Sequence, residues 1–217
     1  MPELSLIAID LDGTLLDTLM DLNEACNYAL GFYHYEPISL EETRMFIGNG
    51  IHKLIERALK GRLEQVEKVF ATFKEYYQKN YNTYTKAYPG VNELLLYCQQ
   101  HNLKLAVLSN KAQSVLDLLC IAHFPQVFDI IIGDQVGLKK KPAADGLKRI
   151  CKELSINMQD ILYIGDSDVD VETVENARCH GAFVSYGFRS EEVLKKAGAQ
   201  QIFKSPFDVM KWLEVTL

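Results

Sequence analysis

The chain has 217 residues and a net charge of −6 from 23 basic and 29 acidic side chains; it is 48% hydrophobic and 24% charged. These values suit a soluble globular protein of one or two domains and argue against nucleic acid or an anionic membrane as partner. Five scattered cysteines without a C-x-x-C pair indicate neither a disulfide framework nor a zinc cage, so a reducing, cytoplasmic setting is expected.

No signal peptide is read at the N-terminus, where Glu3 follows Met-Pro and Asp10 interrupts the apolar run. No run approaches the roughly 18 apolar residues of a membrane span. The stretch 4–9 is rich in leucine and isoleucine and reads as a buried parallel strand. It ends in Asp10 and Asp12, then Gly13-Thr14. Taken alone this is either an Asp-rich turn capping a helix at Thr14 or Asp17, or a chemical site beyond a strand end.

From about residue 16 to 84 the pattern becomes helical. Helices are expected over 21–30, from Ser39 ahead of Glu41 and Glu42, over 51–59 with Gly61 as the stop, and over 64–81. Phe46-Ile47-Gly48-Asn49-Gly50 reads as a turn between two of them. The aromatic residues Phe70, Phe73, Tyr76, Tyr77 and Tyr81 read as helix packing. This block falls between the first two strands. It is therefore read as a helical domain, residues 16–84, inserted into an α/β core of residues 1–15 and 85–217.

Tyr88-Pro89-Gly90 marks the return to the core. The expected order is then helix 91–101, strand 103–108 ending in Ser109-Asn110-Lys111, helix 112–120 and strand 128–133. A loop with Lys139-Lys140-Lys141-Pro142 precedes helix 143–154. Strand 161–164 closes in Gly165-Asp166-Ser167-Asp168-Val169-Asp170, followed by helix 171–177, strand 182–185 and helix 207–215. Strands alternating with helices predict a doubly wound parallel sheet of Rossmann type.

Parallel strands place their carboxyl ends on one edge. Asp10, Asp12, Asp166 and Asp170 converging there would repel one another by several kcal/mol. A hard divalent cation resolves that repulsion, and Mg²⁺ needs only a few carboxylates plus a substrate phosphate. No histidine joins the acids, which disfavours zinc or a non-haem iron triad. The Ser109 hydroxyl, the Asn110 amide and the Lys141 ammonium suit phosphate oxygens. Phosphoryl transfer follows, with Asp10 as nucleophile and Asp12 as the acid that protonates the leaving oxygen and the base that activates water. Each part alone has a plainer reading: Ser109-Asn110 as a turn, Lys141 as part of a solvated basic run, Gly165-Asp166-Ser167 as a helix cap. Asp168 reads as solvated.

At these residues the chain resembles the haloacid dehalogenase superfamily of phosphatases, whose four motifs appear in order: Asp10-Leu11-Asp12-Gly13-Thr14, Ser109-Asn110, Lys141-Pro142, and Gly165-Asp166-Ser167 with Asp170. The resemblance implies Mg²⁺ held by Asp10, the backbone carbonyl of Asp12, and Asp166, with Asp170 supporting it. It also implies that the helical insertion is a mobile cap that excludes water. Within the superfamily the chain is similar to phosphoglycolate phosphatase-like proteins, through Phe46 to Gly50 and Tyr186-Gly187-Phe188-Arg189. Gly48 and Gly50 would let the cap backbone approach a small substrate and Asn49 would bind it; a helix-joining turn explains the same residues. The expected partner is a small phosphorylated metabolite, and the expected assembly a monomer or homodimer.

Two departures stand out. Ala143-Ala144 replaces a proline common after Lys141-Pro142, and Arg178 stands where the family usually has glycine, so that turn is expected to be built differently. Rival functions are a phosphosugar mutase, an inorganic pyrophosphatase or nucleotidase, and a phospho-accepting signalling domain. The last has no need for Asp12.

Overall fold

The computed structural model describes residues 4–216. They form two compact units, residues 4–16 with 87–216, and Asp17–Lys86. In chain order, β1 (Leu6–Ile9) and β2 (Leu16–Asp17) lead into α1 (Leu19–Phe32), α2 (Leu40–Phe46), α3 (Ile51–Ala58) and α4 (Val66–Asn80). The two-residue strand β3 (Lys86–Ala87) pairs with β2, so the segment between them begins and ends at one place.

The helical unit is specified by local signals. Ser39 caps α2 in a reciprocal box: its hydroxyl accepts from the Glu42 N–H at 3.1 Å while the Glu42 carboxylate accepts from the Ser39 N–H at 2.8 Å. Leu22, Cys26, Leu30, Leu54, Ile55, Val69 and Phe73 are buried in its core. The aromatic side chains pack as helix neighbours: Tyr28 stacks on Tyr76 at 4.2 Å and Phe73 on Tyr77 at 5.2 Å. Asp21, buried in α1, accepts from the backbone N–H of Tyr84 at 3.0 Å and of Thr85 at 2.8 Å, and from the Thr85 hydroxyl at 2.6 Å. One carboxylate thus ties the start of the unit to its end.

The α/β unit continues with α5 (Val91–Gln100), β4 (Lys104–Ala112), α6 (Gln113–His123), β5 (Ile130–Asp134), α7 (Asp145–Leu154) and β6 (Ile161–Gly165). It ends with α8 (Asp168–Ala177), β7 (His180–Val184), α9 (Glu191–Lys196), β8 (Ile202–Phe203) and α10 (Pro206–Glu214). Six strands form one parallel sheet in the order β5-β4-β1-β6-β7-β8. The doubly wound α/β core is therefore present. β1 lies between β4 and β6, where the strand order reverses, and all four of its residues are at most 1% exposed. Burial on both faces explains its unbroken apolar run, and a topological reversal is where such sheets bind ligands.

The structure differs from the sequence reading in several places. β4 runs on to Ala112 instead of ending near residue 108, with a register irregularity between Leu108 and Ala112 against β5. Helix α8 begins at Asp168, ahead of the expected residue 171. β8 and α9 were not expected, because two strand residues and six helical ones are too short to show a period. Arg178 does adopt the left-handed cap conformation (φ 58°, ψ 42°), its N–H reaching the Val174 carbonyl at 2.8 Å, so the turn keeps the geometry glycine would favour. All five cysteines are free thiols.

Candidate active site

Asp10 extends β1: its N–H donates to the Ile164 carbonyl at 2.9 Å. Beyond it the chain turns sharply, with the N–H groups of Thr14, Leu15 and Leu16 all directed at the Leu11 carbonyl. Gly13 carries this turn at φ 84°, and a Cβ there would meet the Asp166 carboxyl carbon at 2.8 Å. Both conformation and space demand glycine.

Lys141 is the hub. Its Nζ lies 2.9 Å from Asp10 Oδ1 and 2.8 Å from Asp170 Oδ1, and donates to the Tyr163 hydroxyl at 2.9 Å. Asn110 holds this lysine by its main chain: the amide donates to the Lys141 carbonyl at 3.0 Å and accepts from the Lys141 N–H at 2.9 Å. A carboxamide engaged on both sides of one peptide orients Lys141, a role the sequence reading did not include. The Lys141–Pro142 peptide is cis.

Asp170 is saturated. Tyr163 donates to its Oδ1 at 2.9 Å, and Ser167 donates to its Oδ2 from the N–H at 3.0 Å and the hydroxyl at 2.6 Å. The last two contacts belong to the capping box of α8. The plain reading of Gly165-Asp166-Ser167 as a helix cap is therefore realised, by Ser167 and Asp170. Asp166 accepts from the Thr14 hydroxyl at 3.2 Å and the Phe188 N–H at 2.6 Å. Gly187 passes so close that a Cβ would meet Asp166 Cβ at 2.6 Å. Tyr186 donates to the Thr14 carbonyl at 2.9 Å, and Arg189 pairs with Asp168 at 3.2 Å. Asp168 keeps a side chain that is 44% exposed, solvated as expected, with Arg189 beside it.

Asp12 pairs with Lys111, Nζ to Oδ1 at 2.7 Å, and the lysine side chain is only 2% exposed. The Lys111 N–H donates to the Ser109 hydroxyl at 3.3 Å, within the irregular stretch of β4.

Burial dominates the electrostatics. It pushes Asp10 up to about 7, with Asp170 and Asp12 adding to the rise and Lys141 opposing it. Burial, then Asp170 and Asp10, hold Asp166 well above the usual carboxylate range. Burial works against the Lys141 charge, but Asp10 and Asp170 outweigh it and raise the lysine above its ordinary value. One oxygen from each of Asp10, Asp166 and Asp170 falls within 4.8 Å of the others. Three buried carboxylates so close, with one ammonium between two of them, carry excess negative charge that a divalent cation would neutralise. An all-oxygen donor set with no histidine or cysteine fits a hard cation such as Mg²⁺.

Residues 7–184 match the family model described as haloacid dehalogenase-like hydrolase. The chain belongs to this family. It is 33% identical to a phosphoglycolate phosphatase of Nitrosospira multiformis over 96% of this chain and 95% of that protein. It is also 33% identical to one of Vibrio cholerae, over 100% and 99% of the two chains. A crystal structure of a phosphoglycolate phosphatase candidate from Lactobacillus delbrueckii subsp. bulgaricus superposes with a TM-score of 0.94 at 29% identity, covering 97% of this chain and 98% of the other.

In this hydrolase the fold brings together Asp10, Lys141, Asp166 and Asp170. Gly48, Asn49 and Gly50 lie in the helical unit, where Arg57 donates to the Phe46 carbonyl and to the Asn49 side chain at 3.0 Å. Sequence reasoning missed Tyr163, Lys111 and the Phe188 N–H. Tyr163 sits inside an apolar strand and looks like core until its hydroxyl is placed. Lys111 had a signal, since it follows Ser109 by two residues and so shares its strand face.

Proposed function

We propose that this haloacid dehalogenase-like hydrolase is a Mg²⁺-dependent phosphatase of small phosphomonoesters, of the phosphoglycolate type, acting through an aspartyl-phosphate. It is a phosphoric monoester hydrolase, as its relatives' names also support. The observation that carries the reading is the buried Lys141 ammonium bridging Asp10 and Asp170 beside Asp166. Asp10 takes hydrogen bonds from the Leu11 N–H and Lys141 on Oδ1, which supports Oδ2 as the attacking oxygen. That oxygen forms the bond to phosphorus as the bond to the leaving oxygen breaks, and Asp12 gives the leaving oxygen its proton. Asp12 then takes a proton from water, whose oxygen displaces Asp10 and releases phosphate. Lys141 neutralises the charge between nucleophile and phosphate, and Ser109 donates to a phosphate oxygen.

Asp10, Asp166 and the Asp12 carbonyl would hold Mg²⁺, with Asp170 in support. When bound, the cation supplies charge neutralisation for the phosphoryl oxygens. The helical unit is assigned as the specificity cap, with Gly48, Asn49 and Gly50 facing the substrate and Arg57 fixing the loop.

The test is phosphate release from a panel of phosphomonoesters, including 2-phosphoglycolate, with Mg²⁺ and with EDTA. Asp10→Asn should lower kcat by at least about 10³-fold, as loss of a covalent nucleophile does, and EDTA should abolish turnover. Full activity in the variant, or in EDTA, would reassign the site.

A further inference from the structure

We propose that Lys111 is a positioning residue for Asp12: its buried ammonium fixes the carboxyl group that exchanges protons in both half-reactions. The inference rests on the phosphatase reading above and goes beyond the groups that reading uses.

Asp12 lies past the end of β1, on a turn, where a short side chain has several staggered rotamers open to it. General acid catalysis needs the proton within hydrogen-bond reach of the leaving oxygen, so an unconstrained rotamer would spend much of its time out of place. Lys111 supplies the constraint. Nζ meets Oδ1 at 2.7 Å, and the two side chains are 2% and 18% exposed, so the pair is shielded on the lysine side and open on the Asp12 side. A lysine with four rotatable bonds is a poor anchor unless its stem is held. Here it leaves from the irregular stretch of β4, with its N–H on the Ser109 hydroxyl at 3.3 Å and its carbonyl packed against Gly133, where a Cβ would come within 2.7 Å. The tripeptide Ser109-Asn110-Lys111 therefore serves three groups at once. Ser109 is offered to phosphate, Asn110 orients Lys141, and Lys111 orients Asp12. Strand alternation puts the first and third on one face and the second on the other.

The role predicts a particular pattern of damage. In the first half-reaction the P–O bond to the leaving group breaks, the Asp10–phosphorus bond forms, and a proton passes from Asp12 to the leaving oxygen. An alkoxide needs that proton; p-nitrophenolate, stable as an anion, does not. Wild type, Lys111→Met and Lys111→Arg are compared on 2-phosphoglycolate and p-nitrophenyl phosphate, reading kcat/KM because it reports the first irreversible step, with thermal melts alongside. Lys111→Met should lose about 10-fold or more on the alkyl ester relative to the aryl ester, and Lys111→Arg should recover most of that ratio. An equal loss on both esters, or a rise in KM alone on both, would overturn the proposal in favour of a structural or phosphate-binding lysine. If Lys111→Met does not fold, Lys111→Arg decides alone, since an unchanged ratio beside a large common loss has the same overturning force. Wild type inert on both esters would instead sink the phosphatase reading, and this one with it.

Discussion

The two units of this hydrolase handle charge in opposite ways. In the α/β unit, Lys111 and Lys141 are almost wholly buried and each is matched to a named carboxylate within 3 Å. In the helical unit the ion pairs, such as Lys53 with Glu56 and His52 with Glu67, lie on the surface. Its buried polar groups instead satisfy backbone: Asn23 donates to the Ile38 carbonyl and Asp21 accepts from Tyr84 and Thr85. Buried charge is costly unless it is partnered, and in the α/β unit cations meet it where in the helical unit backbone N–H groups do. The helical unit is held by caps and aromatic packing, which leaves its surface open to variation.

The largest effect that would sharpen this contrast is expected from Lys141→Met. It takes the ammonium away from the buried Asp10 and Asp170 carboxylates and should cost about 3–5 kcal/mol, measured by urea unfolding. The same change at Lys53 should leave the midpoint unmoved. Equal shifts would break the distinction.

Next in size is a pH effect confined to the α/β unit. Native Asp10 keeps its proton up to about 7, whereas its ordinary value is 3.8. The native state therefore binds more protons than the unfolded one across that window. Without metal, stability should fall as pH rises from about 4 to 7. A cation that needs the ionised oxygens should then raise the melting temperature more at about pH 8 than at about pH 5. An equal Mg²⁺ increment at both would place the metal elsewhere.

The smallest effect is expected from Arg57→Ala in the helical unit. Freeing Asn49 should raise KM for 2-phosphoglycolate several-fold with a lesser change in kcat, read by steady-state kinetics. A collapse of kcat would mean the helical unit shares in the chemistry.

Most of the α/β architecture was legible because buried parallel strands announce themselves as apolar runs that end in polar punctuation, as at 4–12 and 161–170. Ser39 with Glu42 gave a helix start through purely local chemistry. What escaped the sequence was pairing across long separations. Lys111 meets Asp12 across 99 positions and Thr14 meets Asp166 across 152, and no local pattern encodes either. Asn110 was placed at the site, but its hold on the Lys141 peptide was not foreseen, because a carboxamide suits phosphate and peptide equally well. Elements as short as β8 and α9 exist through their neighbours rather than through any period of their own.

The closure at Asp21, together with the pairing of β2 and β3, makes the helical unit a cassette. Its entry and exit are stapled side by side, so the host sheet sees a stretch of seventy residues, Asp17–Lys86, as a single short hairpin. A cassette of this kind can be exchanged for another of different length with the host strands left in register; if it selects the substrate as proposed, the exchange would carry substrate preference with it.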